Sequence, residues 1–372
     1  MPRLNRRDLL IGLGSVSLGA AAIAAAPRIR RAAGNRKVGF AIVGLGGYAL
    51  NSIMPQFIHC THSRLAALVS GDPAKLRKVG AEYGVPERSR YSYATFDSIR
   101  DNPDVDVVYV ILPNAMHAEY TIRAARAGKH VLCEKPMAVS PAECEAMIGA
   151  CREAKRKLMI GYRSHFEPHN LHAMRLSRSH AFGTNRYVQS EHGFPIGNPA
   201  QWRLKRALSG GGSLMDIGIY SVQALRYMAG EEPVSVSARE TTDRSDPRFA
   251  EVEDRIDFTF LFPSGLMGHG LSSYSSGHNH IRLTGDSGWV DLEPATSYSG
   301  QRMRVRRGNA PEEAITPPPG PGTNQFVGQL DHMAQCVLED REPLVPGKEG
   351  LRDLRIMQAI YRSARDGRTV AL

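Results

Sequence analysis

Val38-Gly39-Phe40-Ala41-Ile42-Val43-Gly44-Leu45-Gly46-Gly47-Tyr48-Ala49 is the stretch whose reading decides the fold. Six strand-forming residues without a charge run into a glycine-rich turn, and the turn opens a predicted helix over 48–58. In such a turn Gly44 permits the tight bend and Gly46 lets the backbone approach a pyrophosphate. Ala49 lets the helix pack closely, with its N-terminus facing the anion. Leu45, Gly47 and Tyr48 share the turn, so all six residues of 44–49 are candidates to touch a dinucleotide. The string alone carries little; its place between a first strand and a first helix gives it weight.

Outward from that turn, strands at 65–70, 105–112, 130–133 and 158–161 alternate with amphipathic helices at 73–83, 116–127 and 141–155. Continuous apolar runs joined by helical crossovers predict a doubly wound parallel sheet covered on both faces. Beyond a helix at about 169–179 the period changes to two, with strands at 186–193, 234–241, 255–262, 266–272, 281–285, 289–292 and 303–306. Short turns such as Pro263-Ser264-Gly265 argue for an α+β domain with a mostly antiparallel sheet. One long helix, 213–228, interrupts these strands, and a Pro/Gly-rich loop at 316–322 precedes helices near 324–339 and 347–366. A chain of 372 residues suggests two domains. They are expected at 37–161, a dinucleotide-binding Rossmann domain, and 162–346, a substrate and oligomerisation domain, with 347–372 a C-terminal helix packing back.

The formal charge of +10 is concentrated at one end: Arg3, Arg6, Arg7, Arg28, Arg30, Arg31, Arg36 and Lys37 stand against the single Asp8. The body carries no Lys/Arg stripe interleaved with aromatics, which argues against nucleic-acid binding. Arg6-Arg7, an apolar run over 9–26 diluted by Gly and Ser, and small residues at Ala22, Ala24 and Ala26 predict a cleavable export signal over 1–26. The arginine pair resembles the twin-arginine type, which carries folded proteins, so the expected location is the periplasm. The run is too weakly apolar to hold a membrane span well, and no stable membrane association is expected after cleavage. Cys60, Cys133, Cys144, Cys151 and Cys336 make an odd count, and their placement in strands and helices reads as core usage. No metal spacing appears; His278 and His280 flank Asn279 but read as solvated strand positions.

Four further stretches carry chemistry. In Leu68-Val69-Ser70-Gly71-Asp72-Pro73-Ala74-Lys75 the strand end presents neutral Ser70 where an acid would face a ribose, and Lys75, Arg77 and Lys78 follow, which suits a 2'-phosphate. Asp72 is the dissenting residue. Ile111-Leu112-Pro113-Asn114-Ala115-Met116-His117 ends the third long strand, beneath a nicotinamide ribose. His130-Val131-Leu132-Cys133 ends in Glu134-Lys135-Pro136, which pins Lys135 at a strand end facing the ligand crevice. Finally, Gly210-Gly211-Gly212-Ser213-Leu214-Met215-Asp216-Ile217-Gly218-Ile219-Tyr220 offers close backbone approach, Ser213 as helix cap, and Asp216 and Tyr220 four apart on one face. An acid and a phenol with Lys135 nearby make a proton-transfer set, because an ammonium eases loss of the phenol proton.

Together with K-L-M-I-G-Y-R (157–163), Q-W-R-L (201–204) and E-V-E-D-R-I (251–256), these strings resemble the glucose-fructose oxidoreductase branch of the Gfo/Idh/MocA family from about residue 39 to 370. The resemblance implies NADP as cofactor and small-molecule sugars as substrates. It implies Lys135 at the hydride-transfer site, Tyr220 as proton donor and acceptor, and Asp216 beside them. Ser70, Gly71, Lys75 and Tyr93 would bind the adenosine phosphate end; Leu112, Pro113, Asn114, His117, Glu134 and Arg163 would meet the rest of the cofactor. Trp202 and Arg203 would close over it, with Tyr298 nearby. Many family members carry His where this chain has Tyr220. The branch has a long proline-rich arm after the signal, whereas only 27–36 stands here; a homodimer or homotetramer is implied. The reaction expected is oxidation of an aldose at carbon 1 with reduction of a second sugar, the alternative being an aldose 1-dehydrogenase with exchangeable cofactor.

Overall fold

The structure is a computed structural model that describes residues 36–372; the expected signal and the arm up to residue 35 lie outside them. Eight α-helices run in chain order among the described residues: α1 (Pro73–Glu82), α2 (His117–Arg126), α3 (Pro141–Glu153), α4 (Pro168–Arg178), α5 (Arg206–Ser209), α6 (Ile219–Ala229), α7 (Gln325–Leu338) and α8 (Gly347–Asp366).

The first sheet is parallel throughout: β1 (Val38–Val43), β2 (Ser63–Val69), β3 (Arg90–Tyr91), β4 (Val107–Val110), β5 (His130–Cys133) and β6 (Leu158–Ile160). Their order, β3-β2-β1-β4-β5-β6, reverses direction between β1 and β4, and a doubly wound sheet binds its ligand beyond the strand ends at that point. All six residues of β1 are buried, because both faces are covered. Ala41 and Val43 join the core that holds Ala124 of α2 and Met147 of α3. Phe40 and Ile42 face Leu76 of α1 and Phe326, Leu330 and Met333 of α7. Thus α7, which falls within the stretch read as the second domain, roofs the first sheet. The two residues of β3 were too few to show a period, and the tyrosine-rich corner hid them.

The expected helix at 48–58 is irregular. It opens as a π-helical turn, Ala49–Ile53, in which Met54 N–H donates to Ala49 O, and continues as a 3-10 segment, Met54–His59. Pro55 has no N–H and its ring crowds the preceding turn, so a regular α-helix cannot pass it.

The second sheet comprises β7 (Asn185–Gly193), β8 (Ser235–Thr241), β9 (Arg255–Leu261), β10 (Met267–Ser273), β11 (His278–Gly285), β12 (Gly288–Leu292), β13 (Met303–Arg307), β14 (Glu313–Ala314) and β15 (Val370–Ala371). Its order is β14-β13-β12-β11-β7-β10-β9-β8-β15, antiparallel except where β10 runs parallel to β7. In β7, Val188, Ser190 and His192 are buried while Tyr187 is exposed, the alternation of a sheet with one covered face. The cover is α6 and the turn before it: Gly218 stands so close to Ser272 that a Cβ would be crowded, and Leu225 of α6 packs over Gly268. From α8, Met357 and Ile360 join Cys144 and Met147 of α3 and Val236 of β8 in one core. The five cysteines are buried free thiols. No helix of the described residues is long and apolar enough to cross a membrane.

Candidate active site

A cleft of about 820 Å³ lies where the carboxyl ends of the first sheet meet β7, β11 and α6. At one end the walls are mostly backbone. Gly44 has φ +96°, and a Cβ there would come within 2.2 Å of Ile111 O, so the turn requires glycine at this point. A Cβ on Gly46 would meet nothing within 4 Å, which leaves room at the turn for a pyrophosphate. Leu45, Gly47, Tyr48, Leu112, Pro113 and Asn114 line the same wall, and Ser70, Lys75 and Tyr93 line its far end. The residues present therefore fit a dinucleotide.

Asp72 is turned away from that end. Its Oδ1 accepts Ala74 N–H at 2.9 Å and Lys75 N–H at 3.0 Å, capping α1. Ser70 is buried, with its Oγ accepting Asp72 N–H. Three expected contacts do not reach the cleft. Ala49 is fully buried under the turn. Gly71 does not line the cleft; its bare Cα makes room for Tyr93, whose ring would stand 3.0 Å from a Cβ there. His117 is buried, its Nδ1 2.9 Å from Pro136 O and its Nε2 2.8 Å from Leu112 O, so it ties the two strand-end loops together from below. Burial pushes its pKa down against the pull of those carbonyls.

At the other end the walls are side chains. Lys135 follows β5; its Nζ donates to Asp216 O at 2.6 Å, stands 3.6 Å from Asp216 Oδ1 and lies 5.0 Å from the centre of the Tyr220 ring. Beside it Glu134 is buried, accepting the Tyr109 hydroxyl at 2.5 Å, and burial raises its pKa. The Tyr109 oxygen accepts in turn from Gln329 of α7. Arg163, after β6, sits between two phenols, 5.0 Å from the Tyr220 ring centre and 4.8 Å from that of Tyr298. It is held there by Thr296 O at 2.6 Å and Gln325 Oε1 at 2.5 Å.

Asp216 and Tyr220 both line the cleft, but the acid is an anchor for cations. Its Oδ2 accepts Arg203 Nε–H at 2.9 Å and the Tyr274 hydroxyl at 3.1 Å. Burial works to raise its pKa, yet Arg203 and Lys135 hold it below the ordinary carboxylate value. One cation near 4 Å is worth ~4 kcal/mol at an effective dielectric of 20, comparable to the several kcal/mol that burying an ion costs; with two, the ionised form wins. Ser213 does not cap the helix as expected. Its Oγ pairs with Ser272 Oγ, and a π-helical turn over Leu214–Gly218 precedes α6. Trp202, under the Arg203 guanidinium at 4.7 Å, and Tyr298, packed edge-on to Phe326, also line the cleft. Burial raises Tyr298 to about 12.

The sequence reading missed Arg163 as a second cation beside Tyr220, and it missed Tyr274, His192, Asn279 and Thr296, which come from separate strands and loops. Only the G-Y-R ending of β6 gave a local signal. Among the described residues no cluster of His, Cys, Asp or Glu is arranged to hold a metal.

A glycine turn at the switch point of a parallel sheet, facing a phenol between two cations, defines a dinucleotide-dependent oxidoreductase. Residues 38–162 match the oxidoreductase family model with an NAD-binding Rossmann fold, and 171–291 match the GFO/IDH/MocA C-terminal domain. The chain belongs to the GFO/IDH/MocA oxidoreductase family. It is 31% identical over 346 residues to D-xylose 1-dehydrogenase [NADP(+)] of Haloarcula marismortui, covering 90% of this chain and 93% of that protein. It is 34% identical over 307 residues to 1,5-anhydro-D-fructose reductase of Ensifer adhaerens, covering 79% and 87%. The crystal structure of aldose-aldose oxidoreductase from Caulobacter crescentus superposes with a TM-score of 0.89 at 61% identity, covering 91% of this chain and 100% of that one.

Proposed function

We propose that the protein is an NADP-dependent sugar oxidoreductase that oxidises an aldose at carbon 1 to the aldonolactone and reduces a second sugar, fructose or another aldose, to the polyol. The observation that carries this reading is the setting of Tyr220: a phenol on the cleft wall with Lys135 Nζ and the Arg163 guanidinium each 5.0 Å from its ring. A bound nicotinamide supplies hydride uptake and return. The chain's own groups do the rest. Tyr220 removes the proton of the anomeric hydroxyl and returns one to the carbonyl oxygen of the second sugar; Lys135 holds that oxygen, and Asp216 holds Lys135.

NADP rather than NAD is supported by neutral Ser70 with Lys75 beside it on the cleft wall, and by Asp72, which caps α1 through its Oδ1 and does not line the cleft. It is also the cofactor in the name of the Haloarcula relative. The name of the Caulobacter protein supports two aldoses as reactants. The twin-arginine-type segment supports export in the folded state, with the cofactor loaded before export, and the periplasm as the place of reaction. A cofactor lost there could not be replaced, so the reduced nicotinamide is reoxidised in place by the second sugar, which makes the kinetics ping-pong. Tyr187, Met267 and Leu261 lie exposed and side by side on the open face of the second sheet, the face we assign to a homodimer.

The test uses purified protein and two sugars without added NADP. Lactone and polyol formed together over many turnovers support the reading. Turnover that stops after one equivalent per site and resumes on addition of NADP supports the other reading instead, an aldose 1-dehydrogenase with exchangeable cofactor, which the name of the Haloarcula relative favours.

A further inference from the structure

Glu253 lies just before β9, outside the cleft lining, and is 1% exposed. Its carboxylate accepts Gly212 N–H at 2.8 Å, Leu214 N–H at 3.0 Å and the Tyr361 hydroxyl at 2.8 Å. Its own carbonyl accepts Ser213 N–H at 3.3 Å. One residue thus takes three successive backbone N–H groups at the start of the turn that carries Asp216 and leads to Tyr220. This is the cap that Ser213 does not provide, a carboxyl group set against the N-terminal end of the turn; burial raises its pKa against the pull of the Tyr361 hydroxyl and the backbone N–H groups. The contact is close enough to exclude a side chain, since a Cβ on Gly212 would lie 2.1 Å from Glu253 O.

The next residue acts on the same acid from the other side. Asp254 accepts Tyr274 N–H at its Oδ1, 2.9 Å, and at its carbonyl, 3.0 Å, and the Tyr274 hydroxyl donates to Asp216 Oδ2. Backbone and carboxylate of Asp216 are therefore both referenced to two neighbouring residues. Lys135 is bonded to the first of these, at Asp216 O, and Arg203 to the second.

We infer that Glu253 and Asp254 form a brace that fixes Asp216, and through it Lys135, making Glu253 a positioning residue for proton transfer at Tyr220; the inference rests on the oxidoreductase reading above. Glu253→Gln keeps shape but turns an amide donor toward a backbone donor. It lowers kcat about tenfold, within the hundredfold that small misplacements cost, leaves the KM for the cofactor unchanged, and displaces the kcat–pH profile. Tyr274→Phe removes only the phenol contact to Asp216 and displaces the profile in the same direction. Tyr361→Phe removes the third bond to Glu253 together with the hydroxyl's close approach to Gly211 of the same turn; it lowers Tm and displaces the profile in the same direction, by less.

If Glu253→Gln and Tyr274→Phe lose thermal stability but keep native kcat and pH profile, the brace is overturned and Glu253 is a folding residue. Should Glu253→Gln not fold, Tyr274→Phe tests the Asp254 side of the brace and Tyr361→Phe the Glu253 side by the same kcat and pH readout. A wild-type protein that turns over no sugar removes the functional reading and this inference with it, whereas native turnover with unmoved variants removes the brace alone.

Discussion

The two ends of the cleft are built in opposite ways. The dinucleotide end is made by backbone: Gly44 with its φ of +96°, open Gly46, and the ends of β2 and β4. Each of its parts is continuous in sequence with the strand that positions it. The chemical end is made by side chains from five separate places: Lys135 after β5, Arg163 after β6, Arg203, Asp216 with Tyr220, and Tyr274 after β10. Backbone turns present a cofactor with a surface that needs no particular side chain, whereas proton transfer needs charges held at fixed distances. Substitutions at the two ends should therefore fail differently.

The sharpest test is Tyr220→Phe. It removes the proton carrier but keeps the ring between its two cations, so kcat should fall about a hundredfold or more, as positioned proton transfer contributes, while the cofactor Kd stays native. Kinetics and cofactor titration on the same sample check both; near-native turnover would remove Tyr220 from its role. The reverse pattern is expected of Gly44→Ala. The methyl would meet Ile111 O at 2.2 Å on a backbone that L side chains avoid, at a cost of ~1–3 kcal/mol for strain alone. Tm and cofactor affinity should both drop, the latter about tenfold on that scale, with kcat at saturating cofactor little changed. If kcat falls instead, the two ends are not independent.

The same contrast explains what could be read without the structure. The first sheet was legible because its strands are apolar runs and its turns carry glycines at fixed offsets. Lys135 was legible because Pro136 marks a strand end. The Arg163 stack was not, because Tyr220, Tyr298, Thr296 and Gln325 are remote in sequence and no spacing links them. His117 misled: it lies in a motif at a strand end, yet both ring nitrogens are taken by carbonyls beneath the loop. Nor did anything local show that α7 would roof a sheet formed nearly three hundred residues earlier.

A milder change sharpens the comparison within the dinucleotide end. Ser70→Asp places a carboxylate where a 2'-phosphate would lie, beside Lys75. The ratio of kcat/KM for NADP over NAD should fall about tenfold or more, as loss of a charge-assisted contact implies. Turnover with saturating NAD should remain native. Equal use of both cofactors by the wild-type protein would end the argument from Ser70.

The smallest expected effect concerns acid stability and again separates the ends. Burial lowers His165 and His192, which lie around Tyr220, to about 3. It lowers His130, the first residue of β5, and His332 of α7 to about 4. Each folded-state pKa lies below the ordinary 6.5, so the unfolded chain binds these protons more readily. Their contribution to stability is whole above pH 6.5 and is lost as the pH falls from there toward 4. His280, raised by its hydrogen bond to Asp291, works the other way: its contribution is present below 6.5 and fades as the pH rises through its folded pKa. With His117 and His172, which burial also lowers, six outnumber the one, so Tm should be lower at pH 5 than at pH 7.5. His165 gives the cleanest check, because its ring packs edge-on at 4.1 Å against Tyr227 and its Nε2 has no hydrogen-bond partner among the described residues. His165→Phe keeps the packing and removes the titration, so its loss of Tm between pH 7.5 and pH 5 should be shallower than that of wild type. Parallel losses in the two proteins would mean that this histidine is not neutral in the fold.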